Sequence, residues 1–165
     1  MKVFGIIGRQ NAGKTTLLTR LVGAFAARGI SVSTVKHAHH DIDLDTPGKD
    51  SYRHRQAGAQ EVMLVGPRRL ALMREFGDAT PGLPEILARF APVDLVLVEG
   101  YKRDRHPRIE VWRAACGQPP LQPGDPLVRA VASDGPVAGV TVPILDLNDP
   151  DAIARFILAE IGLAP

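Results

Sequence analysis

Eight consecutive residues near the N-terminus, Gly8-Arg9-Gln10-Asn11-Ala12-Gly13-Lys14-Thr15, have the types and spacing of a polyphosphate-binding turn. They fit G-x-x-x-x-G-K-[ST] without a mismatch, and each fixed position has a physical task. Gly8 and Gly13 let the backbone curl until successive N–H groups point inward at phosphate oxygens. A helix opening at Gly13 adds the positive end of its dipole. Lys14 reaches the β- and γ-phosphates, and the Thr15 hydroxyl is a ligand for Mg²⁺.

A second acidic motif supports the first. Val93-Asp94-Leu95-Val96-Leu97-Val98-Glu99-Gly100 is an apolar run ending in a carboxylate, an arrangement that brings an acid to Mg²⁺ or to the attacking water. Glu99 takes that role, and Gly100 can offer its N–H to the γ-phosphate. Without an evident general base, hydrolysis is expected to be slow. Positioning and charge neutralisation would then carry most of the phosphoryl transfer.

The segment Lys36-His37-Ala38-His39-His40-Asp41-Ile42-Asp43-Leu44-Asp45 is dense in ligating side chains. A Ca²⁺ loop is excluded, because the sixth position is Thr46 rather than Gly and the twelfth is Tyr52 rather than Glu. Three readings stay open: a solvated polar loop, a transition-metal site built from His37, His39 and His40, or a switch-like segment. In the third reading the loop leaves the carboxyl edge of a strand, where α/β proteins bind ligands. Asp43 or Asp45 would help hold Mg²⁺, and Lys49, Asp50 and Ser51 would open a helix near the site. The basic run Lys102, Arg103, Arg105 and Arg108 also has three readings: a surface for an anion or partner protein, a phosphate-clamping lid, or a solvated loop.

The elements that would position these residues follow from hydrophobic periodicity. Strands are expected at Lys2–Ile7, Ser31–Lys36, Glu61–Val65, Val93–Val98, Arg108–Trp112, Leu127–Ala132 and Pro143–Leu147. Helices are expected at Lys14–Ala27, Lys49–Ala57, Pro84–Phe90 and Asp149–Ile161, with a helical turn over Arg69–Phe76. Strands alternating with helices predict a three-layer α/β fold, with a mainly parallel central sheet flanked by helices, over a single domain spanning 1–165. The stretch 117–126 holds four Pro and reads as an ordered loop rather than a linker.

Composition narrows the class further. With 45% hydrophobic and 23% charged residues the chain is of ordinary globular make-up. A net charge of +2 gives no argument for nucleic acid or a membrane surface. The single Cys116 excludes an internal disulfide and suits a reducing compartment. With an N-terminal apolar run too short for a signal peptide and no stretch of membrane-spanning length, a cytoplasmic location is expected.

Three blocks, GIIGRQNAGKTTLLTRL, VKHAHHDIDLDTPGKDSYRHRQAGA and LVLVEGYKRDRHPRIEVWR, resemble the MobB family of molybdopterin-guanine dinucleotide biosynthesis adapter proteins. The resemblance implies a P-loop GTP-binding protein that acts as a homodimer, hydrolyses GTP weakly with Mg²⁺ and assists a MobA-type guanylyltransferase. Contact with molybdopterin or its guanine dinucleotide is a further expectation. It assigns Gly8, Gly13, Lys14, Thr15 and Thr16 to phosphate and Mg²⁺, and Glu99 with Gly100 to the second motif. An N-K-x-D guanine signature is absent. Asp134, after the strand ending at Ala132, is the candidate for the guanine N1 and N2 hydrogens, or else part of an Asp-Gly turn. A nucleotide-gated adapter with negligible turnover and a P-loop small-molecule kinase are the competing functions.

Overall fold

A computed structural model describes residues 1–38, 43–77 and 80–164. His39 and His40 lie outside the described residues. The contacts form two compact units, residues 1–37 with 90–165 and residues 38–89.

The larger unit is built on a six-stranded sheet of order β2-β5-β1-β6-β7-β8, every pair of it parallel. Its strands are β1 (Lys2–Gly8), β2 (Val32–Lys36), β5 (Leu95–Glu99), β6 (Arg108–Trp112), β7 (Val128–Ser133) and β8 (Ile144–Asp146). β5 is buried along its whole length, which is why its sequence is continuously apolar rather than alternating. It begins one residue after Asp94, whose carboxylate accepts from the N–H (2.8 Å) and hydroxyl (2.5 Å) of Ser31 and so ties the start of β2 to β5.

Helices α1 (Lys14–Ala26) and α4 (Pro150–Ile161) pack together on the sheet. Leu17, Leu21 and Phe25 recur every four residues on α1, and Ile153, Ile157 and Ile161 do the same on α4. They enclose one core with Phe4, Ile6, Leu95, Leu97, Ile109 and Val111. Burying each such side chain is worth about 1.5–3 kcal/mol. α4 is sharply delimited: Asp149 accepts from the N–H of Ala152 (2.8 Å), Pro150 opens the helix, and Gly162 ends it at φ 64°.

The alternate side chains of β6 include two buried charges. Arg108, 1% exposed, donates to the carbonyls of Lys102 (2.6 Å), Asp104 and His106 (3.3 Å), with Asp125 at 3.7 Å. Its guanidinium organises the turn after β5, so it leaves the basic run read from the sequence; only Lys102, Arg103 and Arg105 stay exposed. Glu110 accepts from the N–H groups of Leu121 (2.8 and 2.9 Å) and Gln122 (2.9 Å), which orders the Pro-rich stretch as expected. Burial pushes the Glu110 carboxyl up, while those N–H groups pull it back.

The smaller unit contains α2 (Asp50–Gln56), the antiparallel pair β3 (Glu61–Val65) and β4 (Leu70–Arg74), and α3 (Leu83–Leu87). β4 corrects the helical turn expected over Arg69–Phe76. Leu-Ala-Leu-Met favours helix locally, but the Gly66-Pro67-Arg68-Arg69 turn, closed by Gly66 N–H on Arg69 O at 2.8 Å, returns the chain onto β3. A ladder from Val65 opposite Leu70 to Glu61 opposite Arg74 then overrides propensity.

Candidate functional site

The turn from Gly8 to Thr15 sits at the carboxyl end of β1, and its conformation explains its glycines. Gly8 has φ 151°, and a Cβ there would lie 2.3 Å from the carbonyl oxygen of Val111 on β6. Gly13 (φ 97°) caps α1, and Asn11 between them takes the left-handed conformation at φ 61°. Ala12 is 1% exposed, sealing the turn onto the core. Arg9 and Gln10 flank the curl, and Thr16 occupies the first turn of α1.

Lys14 bends back over the turn and donates to the carbonyl of Arg9 at 2.8 Å. Burial lowers its pKa, opposed by the nearby Glu99 carboxylate and reinforced by Lys102 and Lys36. An anion placed beside this ammonium would recover what burial costs it. The Nε atoms of Arg9 and Arg113 are buried with no hydrogen-bond partner among the described residues.

Thr15 and Glu99 meet at the mouth of the cradle. The hydroxyl lies 3.2 and 3.1 Å from the two carboxylate oxygens, although 84 residues separate them in sequence. The parallel register makes this possible, since Ile6 lies opposite Glu99 and β1 turns into the loop two residues later. The spacing is close to the ~3.0 Å edge of an octahedron with metal–oxygen bonds of about 2.1 Å. Hydroxyl and carboxylate are also the hard oxygen donors that Mg²⁺ takes, so the pair fits that ion. Among the described residues, no three His, Cys, Asp or Glu side chains gather as a separate metal centre.

Gly100, at φ 96°, donates its N–H to Ile6 O (3.3 Å) and has no room for a Cβ, which would meet the Cβ of His37 at 2.9 Å. The His37 ring lies 4.7 Å from that of Tyr101, so the end of β2 and the turn after β5 are packed together.

Asp134 follows β7 and pairs with Arg113 at 3.1 Å. Arg113 in turn lies over the turn: a Cβ on Gly13 would be 3.5 Å from its Nε. Sequence reasoning passed over Arg113, and also Lys36, whose ammonium is 3.7 Å from Glu99 and 3.5 Å from the Thr15 hydroxyl. Each stands at the carboxyl end of a strand in the sheet that carries the turn, and that placement was the available signal.

In the smaller unit Asp45 accepts from Ser51 (2.7 Å) and Arg55 (3.1 Å), and Asp43 accepts from Arg55 (2.9 Å). The Ser51 hydroxyl, with Arg55 behind it, holds the Asp45 carboxyl below its usual range. Arg55 also reaches Glu75 (2.7 Å), which makes it the hub of this loop. Lys49 is exposed at the N-cap of α2.

A strand–turn–helix cradle at the carboxyl edge of a parallel sheet, beside a strand ending in an acid, defines the P-loop NTPase type of fold. The family described as Molybdopterin guanine dinucleotide synthesis protein B matches residues 3–134. The molybdopterin-guanine dinucleotide biosynthesis adapter protein of Escherichia coli is 42% identical over 157 residues, covering 90% of this chain and 87% of its own. Its Haemophilus influenzae counterpart is 39% identical, covering 94% and 86%. Among solved structures, a molybdopterin-guanine biosynthesis protein B superposes with a TM-score of 0.76 at 28% identity, covering 96% of this chain and 99% of its own. The MobB homologue of Bacillus stearothermophilus gives 0.72 at 29%, covering 98% and 99%. The chain belongs to the MobB family.

Proposed function

We propose that this protein binds GTP with Mg²⁺ at the Gly8–Thr16 turn, hydrolyses it slowly, and serves as an adapter in molybdopterin-guanine dinucleotide biosynthesis beside a MobA-type guanylyltransferase. The observation that carries the nucleotide reading is the convergence of Lys14, Thr15 and Glu99 on one mouth of the sheet. Lys14 and the inward N–H groups of the turn bind the phosphates. Thr15 and Glu99 hold Mg²⁺, which would supply charge neutralisation on the phosphate oxygens. Asp134, steered by Arg113, reads the guanine edge. Gly100 and His37 set the end of β5 against β2, so that nucleotide binding is felt in the turn carrying Arg103 and Arg105. Asp43 and Lys49 are the proposed partner-facing residues of the smaller unit.

Glu99 is engaged by Thr15 and Lys36, which favours slow turnover and, as the second reading, a nucleotide-gated adapter with almost none. A kinase lid loses support because Arg108 is buried beneath its own loop. A homodimer accords with the exposed apolar hairpin, where Met63, Leu64, Val65, Leu70 and Leu72 all face solvent in the single chain. No described helix is long and apolar enough to cross a membrane, and a cytoplasmic site of action accords with the partner proposed.

Calorimetry with GTP, ATP and Mg²⁺ tests the reading. Magnesium-dependent GTP binding that exceeds ATP binding is expected, with phosphate release measured with and without the guanylyltransferase to separate the two readings. Absence of nucleotide binding would end it.

A further inference from the structure

Lys36 ends β2 in register with Glu99 and reaches into the mouth of the sheet with a largely exposed side chain. Its ammonium stands 3.7 Å from Glu99 Oε1 and 3.5 Å from Thr15 Oγ1, the two groups assigned to the divalent cation. Glu99 is 7% exposed, and among the described residues Lys36 is its only ion-pair partner. A buried carboxylate needs a counter-charge. Lys36 therefore supplies to this carboxylate the charge that a divalent ion would supply.

Two cations cannot share that carboxylate comfortably. The Lys36 ammonium already stands 3.5 Å from the Thr15 hydroxyl and 3.7 Å from the carboxylate, where the ion would sit. A divalent ion between Thr15 and Glu99 would repel the Lys36 ammonium, whose long exposed stem lets it move. The strongest nearby anion would then be the terminal phosphate of a triphosphate, which a diphosphate lacks.

We infer that Lys36 is a second phosphate-contacting lysine: it holds Glu99 when nucleotide is absent, gives way to the divalent cation, and moves to the terminal phosphate. This rests on the proposed use of the turn for a nucleoside triphosphate. It adds a device that makes metal binding depend on triphosphate and makes triphosphate preferred over diphosphate.

Lys36→Ala, Lys36→Arg and Lys14→Ala test it. Mn²⁺ binding to the nucleotide-free protein, followed by the paramagnetic resonance of free Mn²⁺, is expected to tighten several-fold in Lys36→Ala. The ratio of GTP to GDP affinity with Mg²⁺ is expected to fall roughly tenfold, about the size of one charge-assisted hydrogen bond. Lys36→Arg should keep part of that ratio. If Lys14→Ala abolishes nucleotide binding while Lys36→Ala changes neither Mn²⁺ affinity nor the ratio, the role of Lys36 is refuted and the nucleotide site stands. If Lys14→Ala leaves nucleotide affinity intact, the nucleotide site and the role of Lys36 fall together.

Discussion

Gly8→Ala and Gly23→Ala make the same chemical change, one methyl group, with opposite expected results. At Gly8 the backbone has φ 151°, and the new Cβ would lie 2.3 Å from a backbone oxygen of Val111. Forcing an L-residue into a left-handed region costs about 1–2 kcal/mol, and overpacking adds about 1–3. The oxygen belongs to β6, paired with β1 from Gly5 to Gly8, so relief requires the mouth of the cradle to open. A loss of about 2–5 kcal/mol follows, which for a chain of this size lowers Tm by roughly 4–20 °C. Nucleotide affinity should fall at least tenfold, because the first N–H groups of the turn move with Gly8. Gly23 lies inside α1 with nothing within 4 Å of its missing Cβ, so alanine there should stabilise by about 0.5–1 kcal/mol. Scanning calorimetry and a nucleotide titration on both variants decide the matter. A Gly8→Ala protein with the parental Tm and affinity would refute the reasoning.

Arg108→Ala strips a buried guanidinium from three carbonyls and should cost about 3–5 kcal/mol in urea denaturation; a loss below about 1 kcal/mol would show that the turn holds itself. Asp134→Asn should erode the preference for GTP over ATP in competition titrations, and an unaltered preference removes Asp134 from the base pocket. His106 is 6% exposed, its ring packs against Gly5, and burial first, then Arg108, lowers its pKa below 6.5, opposed by Asp104 and Asp125. The unfolded chain therefore binds the extra proton first: this contribution is complete above pH 6.5 and is lost as pH falls toward the folded-state pKa. In His106→Leu the decline in stability on the acid side should be shallower; parallel pH curves for the two proteins would contradict this.

What the chain declared in its own order was whatever depends on neighbouring residues. The turn from Gly8 to Thr15 is a local backbone requirement, so eight contiguous residues announce it. The stripes on α1 and α4 are equally local, since a helix shows its buried face every three or four positions. β4 departs from the expected helical turn because Leu70–Arg74 is helix-favouring by itself and becomes a strand only once the Gly66-Pro67 turn brings it beside β3.

Distance along the chain hid the rest. Thr15 and Glu99 were each legible as site residues, but their 3.1 Å contact arises from strand register. Lys36 and Arg113 carry no motif and come close to the turn because β2 and β6 end at the same edge as it does. Arg108 looked like a surface cation among others and is the buried hub of its loop. Local sequence can specify a backbone turn and an amphipathic face, because both are satisfied within a few residues. Which charge meets which partner depends on the order and register of strands, and tertiary structure alone decides that.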